Sequence, residues 1–221
     1  MKKKIVFTFL FQLMLLAAQA QSRGTGMHNG HDWVDLGLSV KWATCNVGAN
    51  KPEGYGDYYG WGTTEPNKYV FINLPRYGAG GGYWITTLLA QDDAASVNWG
   101  PSWRTPTVSE WRELYNKCSR SYEVYNGVPG LKFTGPNGNS IFLPAAGYFY
   151  GKNMIDKNVA GKYWSSSIYF DYESASHGDY AEYLRNTGGF YANYLAFNSG
   201  KITYQYELIC EMGTPIRPVH P

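Results

Sequence analysis

One segment of this 221-residue sequence has a helical signal strong enough to constrain the rest of the fold. Pro106 pushes Thr105 out of the α region. Residues 107–110 (Thr-Val-Ser-Glu) then have the form of a capping box, in which the Thr hydroxyl and the Glu carboxylate satisfy the first-turn amides. Apolar side chains follow at helical spacing, and they are Val108, Trp111, Leu114, Tyr115 and Cys118. The pattern predicts a helix from residue 107 with one buried stripe.

The rest of the chain consists of short strand patterns separated by turns. A shorter helix is predicted from Asp92 to Val97, and the alternation between His31 and Cys45 predicts one or two strands. Later strands are expected at Leu131–Phe133, Ile141–Leu143, Tyr163–Ser167, Tyr194–Phe197 and Ile216–Val219. Two early helices followed by antiparallel strands predict an α+β fold. We expect a single domain over residues 31–221, preceded by a polar, Gly-rich, flexible lead-in over residues 21–30.

The first 20 residues have the features of a signal peptide. Basic residues at 2–4 precede an apolar run from Ile5 to Ala18, and Ala18-Gln19-Ala20 is a small-x-small cleavage pattern. The run is shorter than the ~20 apolar residues that span a bilayer. We therefore expect residues 1–20 to be cleaved and the protein to be exported, to the periplasm, the cell surface or the medium, with no transmembrane segment.

Charge and composition narrow the class of partner. Removing the three leader lysines leaves the 17 Asp and Glu residues in slight excess over Lys and Arg, which does not favour nucleic acid as a partner. The chain has 20 Tyr and 26 Gly but only 16% charged residues. Tyr together with Gly, Ser and Asn is typical of binding loops. The alternative is that the aromatic side chains fill the core of a loop-rich fold.

The three cysteines, Cys45, Cys118 and Cys210, match no zinc-ligand spacing. We interpret them as mostly buried thiols, with one disulfide as the alternative.

Six motifs occur in a fixed order along most of the chain. They are residues 32–49 (DWVDLGLSVKWATCNVGA), 58–62 (YYGWG), 103–111 (WRTPTVSEW), 141–147 (IFLPAAG), 163–167 (YWSSS) and 216–219 (IRPV). In this order they resemble the Fibrobacter succinogenes major paralogous domain (FISUMP) family, which is common in exported proteins of gut Bacteroidetes. The resemblance implies a C-type-lectin-like fold with paired terminal strands, two helices and a long loop-rich C-terminal region. That scaffold hosts unrelated activities, so it implies little about function.

The resemblance also brings enzymes and calcium into consideration. The formylglycine-generating branch of this fold uses a C-terminal cysteine pair, but that part of the chain contains only Cys210.

Residues 65–67 (Glu-Pro-Asn) match a calcium-lectin tripeptide but lie too early in the chain and lack the W-N-D partner, so we interpret the match as coincidence. Calcium ligands from Asp171, Glu173, Asp179 and Glu182 are an alternative to solvated loop acids. We expect no cofactor and no catalytic site; His177 is interpreted as a surface side chain.

The segment between the YWSSS and IRPV motifs is the candidate binding surface. Its aromatic and polar residues are interleaved as in a paratope, and stacked Tyr faces also suit carbohydrate. The predicted contact residues are Tyr169, Asp171, Tyr172, His177, Asp179, Tyr180, Tyr191, Asn193 and Tyr194. The alternative is that these tyrosines are half-buried strand residues.

The predicted function is therefore a non-enzymatic module that binds an extracellular glycan or protein, for instance as an adhesin. In relatives of this family the same segment can be diversified by retroelements, which leave Tyr, Asn, Ser, Asp and His. Residues 169–172 and 176–180 fit that palette, whereas Lys201 and Glu207 do not. The rival hypotheses are an oxidoreductase on the same scaffold and a subunit of a surface appendage.

Overall fold

The computed structural model describes residues 24–67, 85–169 and 191–221, with backbone alone for residues 205–209. Strands are β1 (Thr25–His28), β2 (His31–Val34), β3 (Lys41–Ala43), β4 (Ser119–Tyr125), β5 (Val128–Thr134), β6 (Ser140–Pro144), β7 (Tyr148–Tyr150), β8 (Asn153–Ile155), β9 (Ala160–Ile168), β10 (Tyr191–Asn198), β11 (Ile202–Ile209) and β12 (Val219–His220). Helices are α1 (Ala94–Trp99), preceded by a 3-10 turn at Ala90–Asp92, and α2 (Val108–Lys117).

The predicted signal peptide lies outside the described residues. Within them, no helix is long and apolar enough to cross a membrane.

The strands form four antiparallel sheets in the described part of the chain. Their orders are β1-β2-β3-β12, β11-β10-β9, β4-β5-β6 and β7-β8. The pairing of β12 with β3, with Val219 opposite Trp42, joins the two ends of the described chain in one sheet. The architecture is therefore mixed and rich in sheet, as an α+β fold requires.

The predicted flexible lead-in is wrong for residues 25–28, which form β1 and pair with β2. The turn between the two strands is Asn29-Gly30, and both residues have positive φ angles, 48° and 77°. Asn-Gly is the strongest short-range signal for a two-residue hairpin, because both turn positions need φ > 0. The Gly-rich composition of residues 21–30 concealed that signal.

Both helices begin where the sequence predicts a start, and each has a side-chain cap. In α2 the capping box is present: the Glu110 amide donates to Thr107 Oγ1 (3.3 Å), and the Thr107 amide donates to Glu110 Oε2 (2.7 Å). Trp111 and Leu114 of the predicted stripe are fully buried. In α1 the cap is Asp93, one residue after the predicted helix start.

Tryptophan fills much of the core. Trp42, Trp61, Trp99, Trp103, Trp111 and Trp164 are all buried. Trp42 packs on Trp111 with ring centroids 4.7 Å apart. The hypothesis that aromatic side chains fill the core therefore holds for these tryptophans. All three cysteines are free thiols; Cys118 and Cys210 are buried and Cys45 is half-buried, as the thiol interpretation predicts.

A buried arginine cross-links three parts of the chain. The Arg217 side chain is fully buried, and its Nε donates to Asn46 Oδ1 (2.9 Å). Its Nη1 donates to the carbonyls of Ala43 (3.1 Å) and Thr44 (2.5 Å), and its Nη2 donates to the Phe142 carbonyl (2.9 Å). Within the described residues, every acceptor is a neutral oxygen, so no carboxylate balances this buried cation.

Candidate functional site

Two aromatic-rich segments, 68–84 and 170–190, lie outside the described residues, and described residues that adjoin both are hydrogen-bonded to one another. The Ile168 amide donates to the Thr86 carbonyl, and the Leu88 amide donates to the Ser166 carbonyl, both at 2.9 Å. The Tyr169 amide donates to the Tyr191 carbonyl at the same distance. Residues 85–88, 165–169 and 191–193, here called the β9–β10 end, therefore form one hydrogen-bonded unit.

The serines of the YWSSS motif hold this unit to the core. The Ser165 carbonyl accepts from the Trp61 indole (2.8 Å), and the Ser167 hydroxyl accepts from the Val108 amide in the first turn of α2 (3.1 Å). Ser166 is buried, and its hydroxyl has no hydrogen-bond partner in the part of the chain that the structure describes. The β9–β10 end therefore rests on the tryptophan core and on the start of α2.

The nine predicted contact residues fall into three groups. Tyr169 and Tyr191 are half-buried, and their backbones are hydrogen-bonded to each other where β9 ends and β10 begins. Asn193 and Tyr194 are buried, so they present little surface to a ligand. The remaining five, Asp171, Tyr172, His177, Asp179 and Tyr180, lie outside the described residues.

The Asn193 side chain stabilises the strand pairing, whereas it was predicted to contact a ligand. Its side-chain amide donates to the carbonyls of Ser167 (3.3 Å) and Ile168 (2.9 Å) on β9. The β9 pairing shifts register between Ala192 and Tyr194, as expected for a bulge, and the Asn193 amide satisfies carbonyls at that irregularity. The expected long loop region is thus partly wrong: residues 191–209 are two strands, because Ala192, Leu195 and Phe197 are buried in the core.

A histidine–tryptophan cluster that sequence reasoning missed lies where β1, β2, α1 and β12 meet. The rings of His28 and His220 stack with centroids 5.3 Å apart, and His31 stacks on Trp99 at 3.7 Å. The Trp103 indole donates to the His28 carbonyl (3.1 Å). The Nε2 atoms of His28 and His220 are buried without a hydrogen-bond partner within the described residues. The Asn29-Gly30 turn was the signal that could have placed His28 and His31 on a hairpin.

Acid should weaken this cluster. Burial lowers the pKa of His220, with the nearby Lys41 and His28 adding to the effect. Burial also lowers the pKa of His31, which Asp32 partly opposes. The unfolded chain therefore binds protons at a higher pH than the folded protein, so stability is complete above the ordinary histidine value of 6.5 and falls as pH drops below it.

We expect the urea midpoint to be lower at pH 5 than at pH 7.5, and the difference to shrink in His220→Phe, which keeps a ring but cannot titrate. Tryptophan fluorescence during unfolding at both pH values measures this. An equal pH dependence in the parent and in His220→Phe would contradict the assignment to His220.

Acidic side chains were considered as metal ligands, but in the described residues their contacts stabilise the fold. Glu110 pairs with the Arg104 guanidinium as well as capping α2. No group of three His, Cys, Asp or Glu side chains within the described residues could hold a metal ion. In the Glu-Pro-Asn tripeptide, Asn67 has a positive φ of 59° and its amide donates to the Tyr58 carbonyl, so this residue closes a turn. The acids proposed for calcium, residues 171, 173, 179 and 182, lie outside the described part.

Comparison with known proteins gives no match to this chain among family models, curated proteins or solved structures.

Proposed function

We propose that this chain is an exported, non-enzymatic binding module that recognises a glycan or protein ligand through aromatic side chains at the β9–β10 end. The proposal includes the signal peptide over residues 1–20 and membership of the Fibrobacter major paralogous domain family, with its C-type-lectin-like fold.

The observation that carries the proposal is that described residues adjoining the two aromatic-rich segments are hydrogen-bonded to one another. Residues 68–84 contain Tyr69, Tyr77, Tyr83 and Trp84, and residues 170–190 contain Tyr172, Tyr180 and Tyr183. Both segments join a scaffold fixed by the hydrogen bonds of residues 86, 88 and 166–169. Binding residues are commonly carried by connecting segments on a rigid scaffold, and Tyr contributes a large contact area at low entropic cost.

The test is binding of the purified protein to arrays of glycans and mucus proteins. We expect Tyr169→Ala/Tyr172→Ala/Tyr180→Ala to lower affinity for any ligand found by at least about tenfold, because aromatic anchors dominate binding energy. Tyr150→Ala is the matched control, since Tyr150 is an exposed tyrosine on β7, an element that contributes no residue to the β9–β10 end. Equal affinity of the triple variant, with unchanged circular dichroism, would refute the site.

A further inference from the structure

A second recess lies on the outer face of the β4-β5-β6 sheet and shares no residue with the β9–β10 end. It is a cleft of about 150 Å³, here called the β5 cleft. Its lining residues are Val34, Thr44, Pro52, Glu123, Tyr125, Lys132, Ser140, Ile141 and Phe142. A cavity of this volume holds one six-membered ring, whereas drug-sized ligands need about 300 Å³ or more. The size therefore limits the occupant to a single ring or to one ring of a longer ligand.

Strand pairing places an aromatic surface in the cleft. Glu123 and Tyr125 lie on one face of β4, and Lys132 lies opposite Phe142 in the β5–β6 register. The rings of Tyr125 and Phe142 contact each other with centroids 5.3 Å apart. Phe142 lies over Gly130, where a Cβ would collide with the ring. The glycine thus leaves room for the buried Phe142 ring against the β5 backbone.

The polar groups around these rings include a lysine that has no partner within the described residues. Lys132 is half-buried, and its ammonium makes no hydrogen bond or ion pair within the described residues. Glu123, also half-buried, accepts from the Ser121 hydroxyl (3.1 Å). Beneath the cleft, Arg217 donates to the carbonyls of two lining residues, Thr44 and Phe142. The lining therefore holds one cation and one carboxylate, and of these only Lys132 is without a partner within the described residues. The buried guanidinium fixes the two walls relative to each other.

We propose that the β5 cleft binds one pyranose ring that carries a carboxylate, as in a uronic acid. The C–H face of the sugar packs on Phe142 and Tyr125, as amphipathic ligands pack on aromatic walls. The carboxylate accepts from the Lys132 ammonium, which gives the strong, charge-assisted kind of hydrogen bond. Hydroxyl groups of the ring have partners in Thr44, Ser140 and Glu123.

The test is a titration of the isotopically labelled protein with glucuronate and, separately, with glucose, followed by amide chemical shifts. We expect glucuronate to shift the amides of Thr44, Tyr125 and Phe142 with a Kd on the order of 1 mM, as suits so small a ligand. Glucose should bind more weakly. Lys132→Met should weaken glucuronate binding at least about fivefold and leave glucose binding unchanged, while Lys152→Met, at an exposed lysine, should change neither.

The outcomes separate this site from the one proposed above. If glucuronate shifts none of the three amides, or if Lys132→Met and Lys152→Met behave alike, the β5 cleft is not a sugar site. Loss of ligand binding in the Tyr169/Tyr172/Tyr180 variant would still support the β9–β10 end. Well-dispersed amide spectra of both lysine variants exclude misfolding as the cause of a change.

Discussion

Replacing Arg217 with methionine is expected to lower the free energy of unfolding by about 3 kcal/mol, because it leaves buried acceptors without donors. Four oxygens lose a partner: Asn46 Oδ1 and the carbonyls of Ala43, Thr44 and Phe142. Removing the guanidinium also removes the unfavourable desolvation of a buried cation. The net loss is therefore smaller than four separate hydrogen bonds to a charged group would suggest.

Urea unfolding followed by tryptophan fluorescence measures this loss. Arg217→Lys should fall between the parent and Arg217→Met, because an ammonium carries three donors but cannot match the planar spacing of a guanidinium. Arg112→Met is the control, since Arg112 is exposed on α2 and its replacement should change stability by less than about 1 kcal/mol. A loss below 1 kcal/mol for Arg217→Met would show that the cross-link is dispensable.

The second large effect is expected for Asp93→Ala, at about 2 to 3 kcal/mol, which combines a lost N-cap with orphaned buried donors. Asp93 Oδ1 accepts from the Ala95 amide (2.9 Å) and from the Thr105 hydroxyl (2.7 Å), and Oδ2 accepts from the Thr105 amide (2.7 Å). Thr105 is fully buried, so water cannot replace the carboxylate. One side chain thus caps α1 and ties it to the segment that leads into α2.

Asp93→Asn is the sharper variant. If the asparagine oxygen keeps the contacts of Oδ1, its NH2 group takes the place of Oδ2 and points a donor at the Thr105 amide, which is itself a donor. We expect it to lose most of what Asp93→Ala loses, although asparagine is itself a good N-cap. Asp92→Asn, one residue earlier, is the matched control and should change stability little. Equal urea midpoints for Asp93→Asn and Asp92→Asn would show that the Thr105 contacts contribute nothing.

The sequence predicted several helices and strands well, because the interactions that start and stabilise them join residues that are close together in the chain. The capping box at residues 107–110 and the short strand patterns at residues 131–133 and 141–143 involve neighbours in the chain, and the structure has α2, β5 and β6 at those positions. The missed β1 was also local: the Asn29-Gly30 turn was present, but the Gly-rich composition around it was given more weight.

Long-range contacts could not be predicted in the same way. Arg217 was interpreted as part of a terminal strand, but its partners lie at residues 43, 44, 46 and 142, and no periodicity indicates that a cation is buried among carbonyls. The histidine stack joins His28 to His220 across nearly the whole sequence. Contacts of this kind follow from how sheets meet, which requires the tertiary structure.

The candidate site was only partly accessible to sequence reasoning. The tyrosine-rich composition drew attention to residues 165–206, but it could not separate exposed from buried members. Asn193 looked like a contact residue, yet its amide completes hydrogen bonds of β9. No sequence motif marks the β5 cleft, because Glu123, Lys132 and Phe142 are brought together only by the register of the strands.

The four-stranded sheet has a consequence for how this unit can be combined with others. Its edge strands are β1 and β12, with β2 and β3 between them, and the rings of His28 and His220 stack on each other with centroids 5.3 Å apart. The first and last strands of the described chain therefore meet through these rings, and closeness of its two ends is the arrangement that allows a domain to be inserted within a host protein.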